Sequence, residues 1–147
     1  MNWWLMLQIR EAYTADAEAI AALLTELGYP ASITDVPSRL AAVAAAPGQV
    51  LVAEDEGKVL GVASVTRLIL LHRPEPVALL SALVVRAEHR GQGVGQALVE
   101  AAARQAAAWG CATLELTSRD DRQGAHQFYH GLGFESRSRK FVRPVPG

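Results

Sequence analysis

The sequence predicts an α/β fold in which a mixed central β-sheet is flanked by about four helices. Three observations lead there. The chain has 147 residues, 50% apolar and 20% charged, enough to bury a real core within one domain spanning residues 1–147. Apolar residues recur at helical spacing in some stretches and run continuously in others, between short polar turns carrying glycine or proline. An apolar strand leads through the glycine-rich RGQGVG into a long amphipathic segment and then a second strand, a βαβ unit expected to be right-handed with parallel strands.

Met6 to Glu11 is expected as a first strand. Thr14 can then cap a helix with Asp16 and Glu18 in its first turn, where carboxylates favour the helix dipole. Ile20, Leu23, Leu24 and Leu27 follow at helical spacing, and Gly28 ends that helix before a loop opened by Tyr29-Pro30. A second helix is expected over Val36 to Ala45, stopped by Pro47-Gly48. Val50 to Glu54 and Val59 to Leu68 read as a hairpin turning at Asp55-Glu56-Gly57-Lys58. Val77 to Val85 is apolar at nearly every position, as in a strand covered on both faces at the centre of a sheet.

After the glycines, Val94, Ala97, Leu98, Ala101, Ala102, Ala108 and Trp109 fall on one helical face, with Gln96, Glu100 and Arg104 opposite and Gly110 as the stop. Ala112 to Thr117 is a further strand. A shorter helix runs from about Arg122 to Leu132, capped by Asp120 or Asp121, and Phe134 to Val142 is expected to return as one or two strands. No internal repeat or linker divides the chain.

Charge and cysteine content narrow the function. A formal net charge of -1 supplies no basic field for nucleic acid. The single cysteine, Cys111, has no disulfide partner, and no cysteine cluster offers a zinc site, which suits a cytoplasmic protein without a metal. The apolar run Trp3 to Leu7 has no basic residue before it and no small-residue cleavage site after it, so neither a secretory signal nor a membrane partner is expected.

The glycines carry the chemistry. A helix start leaves N–H groups unpaired and partly positive, and Gly91, Gly93 and Gly95 remove side chains that would keep an anion away, with Arg90 adding a charge. A P-loop is excluded because Gln96-Ala97 follows the last glycine in place of lysine and a hydroxyl residue. A dinucleotide fingerprint is excluded because its third glycine would fall on Gln96 or Leu98. A glycine-rich surface turn without a ligand stays open on these residues alone.

The stretch ALVVRAEHRGQGVGQALVEAA resembles the signature of the GCN5-related N-acetyltransferase (GNAT) family, a strand, a short turn, then Arg/Gln-x-x-Gly-x-Gly/Ala and a long helix. About thirty residues on, AHQFYHGLGF is similar to that family's second signature. The hairpin and the paired N-terminal helices fall in the family's order, so the resemblance covers nearly the whole chain. It implies acetyl-CoA as cosubstrate. The backbone amides of Arg90, Gly91, Gln92, Gly93, Val94 and Gly95 would hold its pyrophosphate, and Leu83, Val84 and Val85 would lie along its pantetheine arm like a strand partner. An amide of that strand would polarise the thioester carbonyl. Tyr129 matches the family's general acid, although helical spacing alone would equally suit a core aromatic.

The sequence departs from the family in two places. Leu79-Leu80-Ser81-Ala82 holds no carboxylate where many members carry a glutamate base, and Arg122 stands where many carry an asparagine. His72 is the first candidate for a replacement base, with Glu75 beside it and His126 a turn before Tyr129; an amine arriving neutral would need none. Cys111 could carry the acetyl group, but its setting suits a small buried hydrophobe, and direct transfer is preferred. Arg137, Arg139, Lys140 and Arg143 suit either an anionic acceptor or a solvated edge. The resemblance is closest to the small-molecule branch that includes aminoalkylphosphonate acetyltransferases, and it implies a small-molecule amine acceptor. The absent glutamate leaves a CoA-binding sensor or inactive homologue as the alternative. A homodimer is allowed by the resemblance and fixed by no residue.

Overall fold

A computed structural model describes residues 7–117, 123–137 and 140–147. The chain forms two compact units, Met1–Thr117 and Ser118–Gly147. The first holds a five-stranded sheet in the order β1 (Gln8–Glu11), β2 (Gly48–Asp55), β3 (Lys58–Leu68), β4 (Val77–Val85), β5 (Thr113–Leu116). The first four strands are antiparallel neighbours, and β4 and β5 are parallel, as the βαβ reading requires. Helices α1 (Ala17–Leu27), α2 (Val36–Ala45) and α3 (Val94–Ala108) belong to this unit, and α4 (Gln123–Gly131) to the second.

Local chemistry explains most boundaries. The β2–β3 hairpin turns on Glu56 and Gly57, both at positive φ (49° and 81°), the two-residue geometry whose twist matches that of paired strands. Gly28 ends α1 at φ 102°, its N–H returning to Thr25 C=O. Thr14 does not cap α1. A 3-10 turn, Thr14–Asp16, precedes the helix, and Asp16 accepts from the Tyr13 N–H at 2.9 Å.

Asp16 does more than favour a helix dipole. It is buried, and the Arg10 guanidinium grips it in a two-pronged pair, with both contacts at 2.9 Å. Arg10 Nε also reaches Glu54 on β2 at 2.6 Å, and the guanidinium lies 4.3 Å over the Tyr13 ring. One arginine on edge strand β1 thus fastens the start of α1 to the sheet.

Alternation along the strands puts the helices on opposite faces. Val52, Val62 and Val84 cluster with Ile20 and Leu23 of α1 and Val36 of α2. Gly61, next to Val62, meets α3 instead: a Cβ there would stand 3.0 Å from Leu98 Cδ1, 3.1 Å from Val84 O and 3.3 Å from Val94 Cγ1. A side chain at that position would push α3 off the sheet. The buried face of α3 carries Val94, Leu98, Val99, Ala102 and Ala106, whereas Ala108, expected inside, is exposed.

Two further expectations need correction. The middle strand is β3, buried from Val59 through Ala63; β4 is interior, but its cover breaks at the exposed Ser81. The strands expected over Phe134 to Val142 are not formed by residues 134–137 or 140–147. Phe141 and Val142 are exposed, Arg137 folds back on Glu135 at 3.1 Å, and Pro144 and Pro146 lack ladder donors, so alternation there serves no buried face. Trp3, Trp4, Met6, Asp120, Asp121, Arg122 and Arg139 lie outside the described residues.

Arg10 holds the Asp16 carboxyl below the usual carboxylate range, assisted by the Tyr13 N–H. A carboxyl lowered in the folded state stabilises the fold above its unfolded-state pKa, and that contribution is lost as pH falls through the folded value. Asp16→Asn is expected to cost about 1.5–3 kcal/mol at pH 7, the loss of hydrogen bonds to a charged group at a part-buried pair whose arginine keeps Glu54. In urea titrations at pH 7 and pH 2.5 the gap from wild type should narrow at the lower pH. Gly61→Val should cost about 1–3 kcal/mol in the same assay at pH 7, through overpacking against α3.

Candidate active site

The second half of β4 differs from the first. The parallel ladder with β5 runs from Val77↔Thr113 to Leu80↔Leu116 and stops. On the other side β3 continues to pair, but Val65 faces Leu80 while Ser64 faces Ala82, so Ser81 is an extra residue, a β-bulge. Past it, the Arg86 N–H donates to Leu60 C=O at 2.8 Å, which makes that pair the hydrogen-bonded kind. Val84 and Ala82 therefore spend their backbone groups on β3. Those of Leu83 and Val85 point the other way, where no strand among the described residues pairs with them. Among the described residues, the second half of β4 is unpaired by any strand on that side.

The chain then turns through a 3-10 segment, Ala87–His89, into the glycines. Gly91 and Gly93 sit at φ 76° and 90°, conformations that L side chains resist by roughly 1–2 kcal/mol. Around Gly91 a Cβ would meet nothing within 4 Å, so backbone angle, not crowding, requires glycine there. Gly93 is the N-cap of α3, and no side chain caps it. Ala97 makes the first helical bond, to Gly93 C=O at 3.0 Å, so the N–H groups of Val94, Gly95 and Gln96 project from the helix start. Val94 is buried and seats that start, while Gly91, Gln92 and Gly93 are exposed.

Three side chains brace the turn. Arg86 Nε donates to Val59 C=O at 2.8 Å. Glu26, at the end of α1, accepts from the Ala87 N–H at 3.3 Å and stands 3.9 Å from Arg90 Nη2. Arg90 Nε in turn donates to Val85 C=O at 3.2 Å, on the open side of β4. Nothing in the spacing of Glu26, 61 residues before Ala87, announces this role.

The remaining candidate residues lie away from this turn in the chain. His72 is exposed on the β3–β4 connection, nine positions before the bulged Ser81. Its neighbour Arg73 pairs with Glu115 of β5 at 2.8 Å. Glu75 and His126 are exposed. Cys111 is half-buried, and burial pushes its thiol up, away from the thiolate a carrier would need. Among the described residues no three His, Cys, Asp or Glu side chains gather as a metal site. No described helix is long and apolar enough to cross a membrane.

In the second unit, the end of α4 explains the spacing of YHGLGF. Gly133 at φ 91° sends its N–H to His130 C=O, and Phe134 sends its own to Tyr129 C=O, both at 3.0 Å. These are the two bonds of a Schellman motif, and the accompanying apolar contact is Phe134 on Tyr129, ring centroids 5.9 Å apart and edge to face. Phe128 meets the same ring at 5.3 Å. The glycine and the phenylalanine together hold the Tyr129 ring in orientation.

Comparison with known proteins gives the family and the fold. Residues 8–134 match the profile of the acetyltransferase (GNAT) family. The chain belongs to the GNAT acetyltransferase family. It is 27% identical to the aminoalkylphosphonate N-acetyltransferase of Salmonella typhimurium over 152 residues, covering 94% of this chain and 91% of that protein. Its fold matches an acetyltransferase from Trypanosoma brucei with a TM-score of 0.82 at 24% identity, covering 95% of this chain and 99% of that one. Glucosamine-6-phosphate N-acetyltransferase from Arabidopsis thaliana gives 0.79 at 20%, with the same coverage. Family membership makes the chain an acyl-CoA N-acyltransferase, with acetyl-CoA as the family's cosubstrate.

Gly133→Val is expected to strain the end of α4 and loosen the Tyr129 ring. The near-ultraviolet circular dichroism of the aromatic residues should weaken while the thermal midpoint falls by a few degrees, as for a loss of about 1–2 kcal/mol.

Proposed function

We propose that this chain, as one N-acetyltransferase domain over residues 1–147, moves an acetyl group directly from acetyl-CoA to the primary amine of a small molecule in the cytoplasm. The observation that carries the reading is the side of β4 at Leu83 and Val85 that no strand pairs among the described residues, which runs into the start of α3, where no side chain caps the helix. An extended amide-bearing arm can pair with the first and a diphosphate with the second. The continuous family match over residues 8–134 supports one domain, and the name of the Salmonella relative supports a small acceptor such as an aminoalkylphosphonate. Neither nucleic acid nor a membrane is a partner in this reading, and no metal is used.

When bound, acetyl-CoA supplies an activated acetyl thioester. The amides from Arg90 to Gly95 would hold the diphosphate, with Val94 anchoring the helix start. The outward backbone groups of Leu83 and Val85 would align the arm, with Val84 fixing the strand between them, and an amide of this edge would face the charge that grows on the carbonyl oxygen. The amine nitrogen bonds the acetyl carbon as the carbon–sulfur bond breaks; the nitrogen gives up a proton to water and the sulfur takes one up. Tyr129 supplies the latter: a phenol with an ordinary pKa of about 10 can protonate a thiolate whose acid lies near 8.5.

Acetyl-CoA consumption, followed as released thiol, is expected with at least one amine among aminoalkylphosphonates, polyamines, aminoglycosides and short peptides. Tyr129→Phe should lower kcat about 100-fold or more and leave CoA affinity within twofold. Gly93→Val, forced from its positive φ, should weaken CoA binding about tenfold or more. The absence of a carboxylate from β4 favours a second reading, a CoA-binding sensor. CoA binding without turnover on any amine would establish it.

A further inference from the structure

We propose that Arg90 is a latch on the cosubstrate strand: in the free chain its side chain holds the outward C=O of Val85, and the pantetheine arm takes that carbonyl only when a phosphate draws the guanidinium away. The latch makes the site favour intact CoA over a phosphate-free arm. The proposal rests on the reading of β4 and the glycine turn as the acetyl-CoA site.

A small set of polar contacts forms the corner after β4. Arg90 Nε donates to Val85 C=O at 3.2 Å, filling an acceptor that no strand takes among the described residues. Arg90 Nη2 stands 3.9 Å from Glu26 Oε1, and that same oxygen accepts from the Ala87 N–H at 3.3 Å. The Arg90 N–H returns to Ala87 C=O at 3.4 Å, closing the 3-10 turn. One guanidinium thus spans the last residue of β4 and the end of α1.

That span is weak enough to be exchanged. The Arg90 side chain is 59% exposed, and an ion pair at such a surface holds it by little. Its nitrogen nevertheless stands from Val85 C=O at about the distance of a partner strand's N–H, so an arm pairing at Val85 displaces it. The displaced guanidinium is left at the head of a turn whose Gly91, Gln92 and Gly93 are exposed, with Glu26 as its only described carboxylate. A diphosphate bound at that turn offers it a two-pronged, more highly charged partner. The arm alone must strip Arg90 from Val85 and supply nothing to receive it, whereas the whole cosubstrate brings the receiving anion.

The test compares CoA with pantetheine, which carries the arm and the thiol but no phosphate. CoA is titrated calorimetrically, and pantetheine is measured by its displacement of CoA. Arg90→Ala should bind pantetheine about threefold more tightly than wild type, because Val85 C=O is free, and CoA about tenfold more weakly, because a charged contact is lost. Glu26→Gln keeps an acceptor for the Ala87 N–H and removes the charge that steadies the latch, so it should tighten pantetheine about twofold. Pantetheine is uncharged, so that gain reports the latch and not a carboxylate's repulsion of phosphate. Pantetheine affinity unchanged or lowered in Arg90→Ala overturns the proposal, since a residue that only binds phosphate or only supports the turn gives those results. So does a CoA affinity that rises in Arg90→Ala, for the guanidinium then gains no phosphate. If wild type does not bind CoA, the acetyltransferase reading itself fails, and that result is distinct from the others.

Discussion

β4 has a partner on each side only as far as Leu80, and the arrangement of the site depends on that limit. A strand interior to a sheet ordinarily has all its backbone groups satisfied. Here β5 is four residues long and the Ser81 bulge shifts the phase of the strand beyond it, so among the described residues no strand takes up the outward backbone groups of Leu83 and Val85, the Val85 C=O accepting from Arg90 instead. Such an edge invites pairing by a ligand that is itself extended and amide-bearing. The short β5 leaves that side without a strand partner, and the bulge decides which residues point into it.

The open edge is useful only if the glycine turn and the start of α3 are held firmly beside it. Gly61 lets α3 lie against β3, which sets the direction in which the start of α3 points. Arg86 and Glu26 tie the turn back to β3 and α1. The α1 end of that brace depends on a second anchor, the part-buried pair of Arg10 and Asp16. The chain thus relies on backbone geometry at the site and on side-chain ion pairs away from it. That division suits an anionic ligand, because amides can bind phosphate at any physiological pH without being titrated.

Much of this was legible in the residues. The helices, the hairpin and the βαβ unit are set by apolar period and by Gly28, Gly57 and Gly110, because those signals are local and the tertiary structure does not oppose them. The glycines of RGQGVG announced positive φ, and Gly91 and Gly93 have it. Asp16 misled, since a carboxylate in a first helical turn looks alike whether it faces water or an arginine six residues earlier. The strands expected after Phe134 misled for a related reason: alternation marks a strand only where another strand is there to pair.

The sequence by itself determined the order of helices and strands as far as α4, the family and the glycine turn. These depend on neighbours within a turn or two, or on motifs whose spacing is written along the chain. Only the tertiary structure decided which half of β4 is open, that Ser81 is the bulged residue, that Glu26 reaches Ala87 across 61 positions, and that Phe134 braces Tyr129. Strand register, the end of a ladder and the meeting of distant side chains are set by how whole elements pack. A one-residue slip in pairing would move each of them without changing a letter of the sequence.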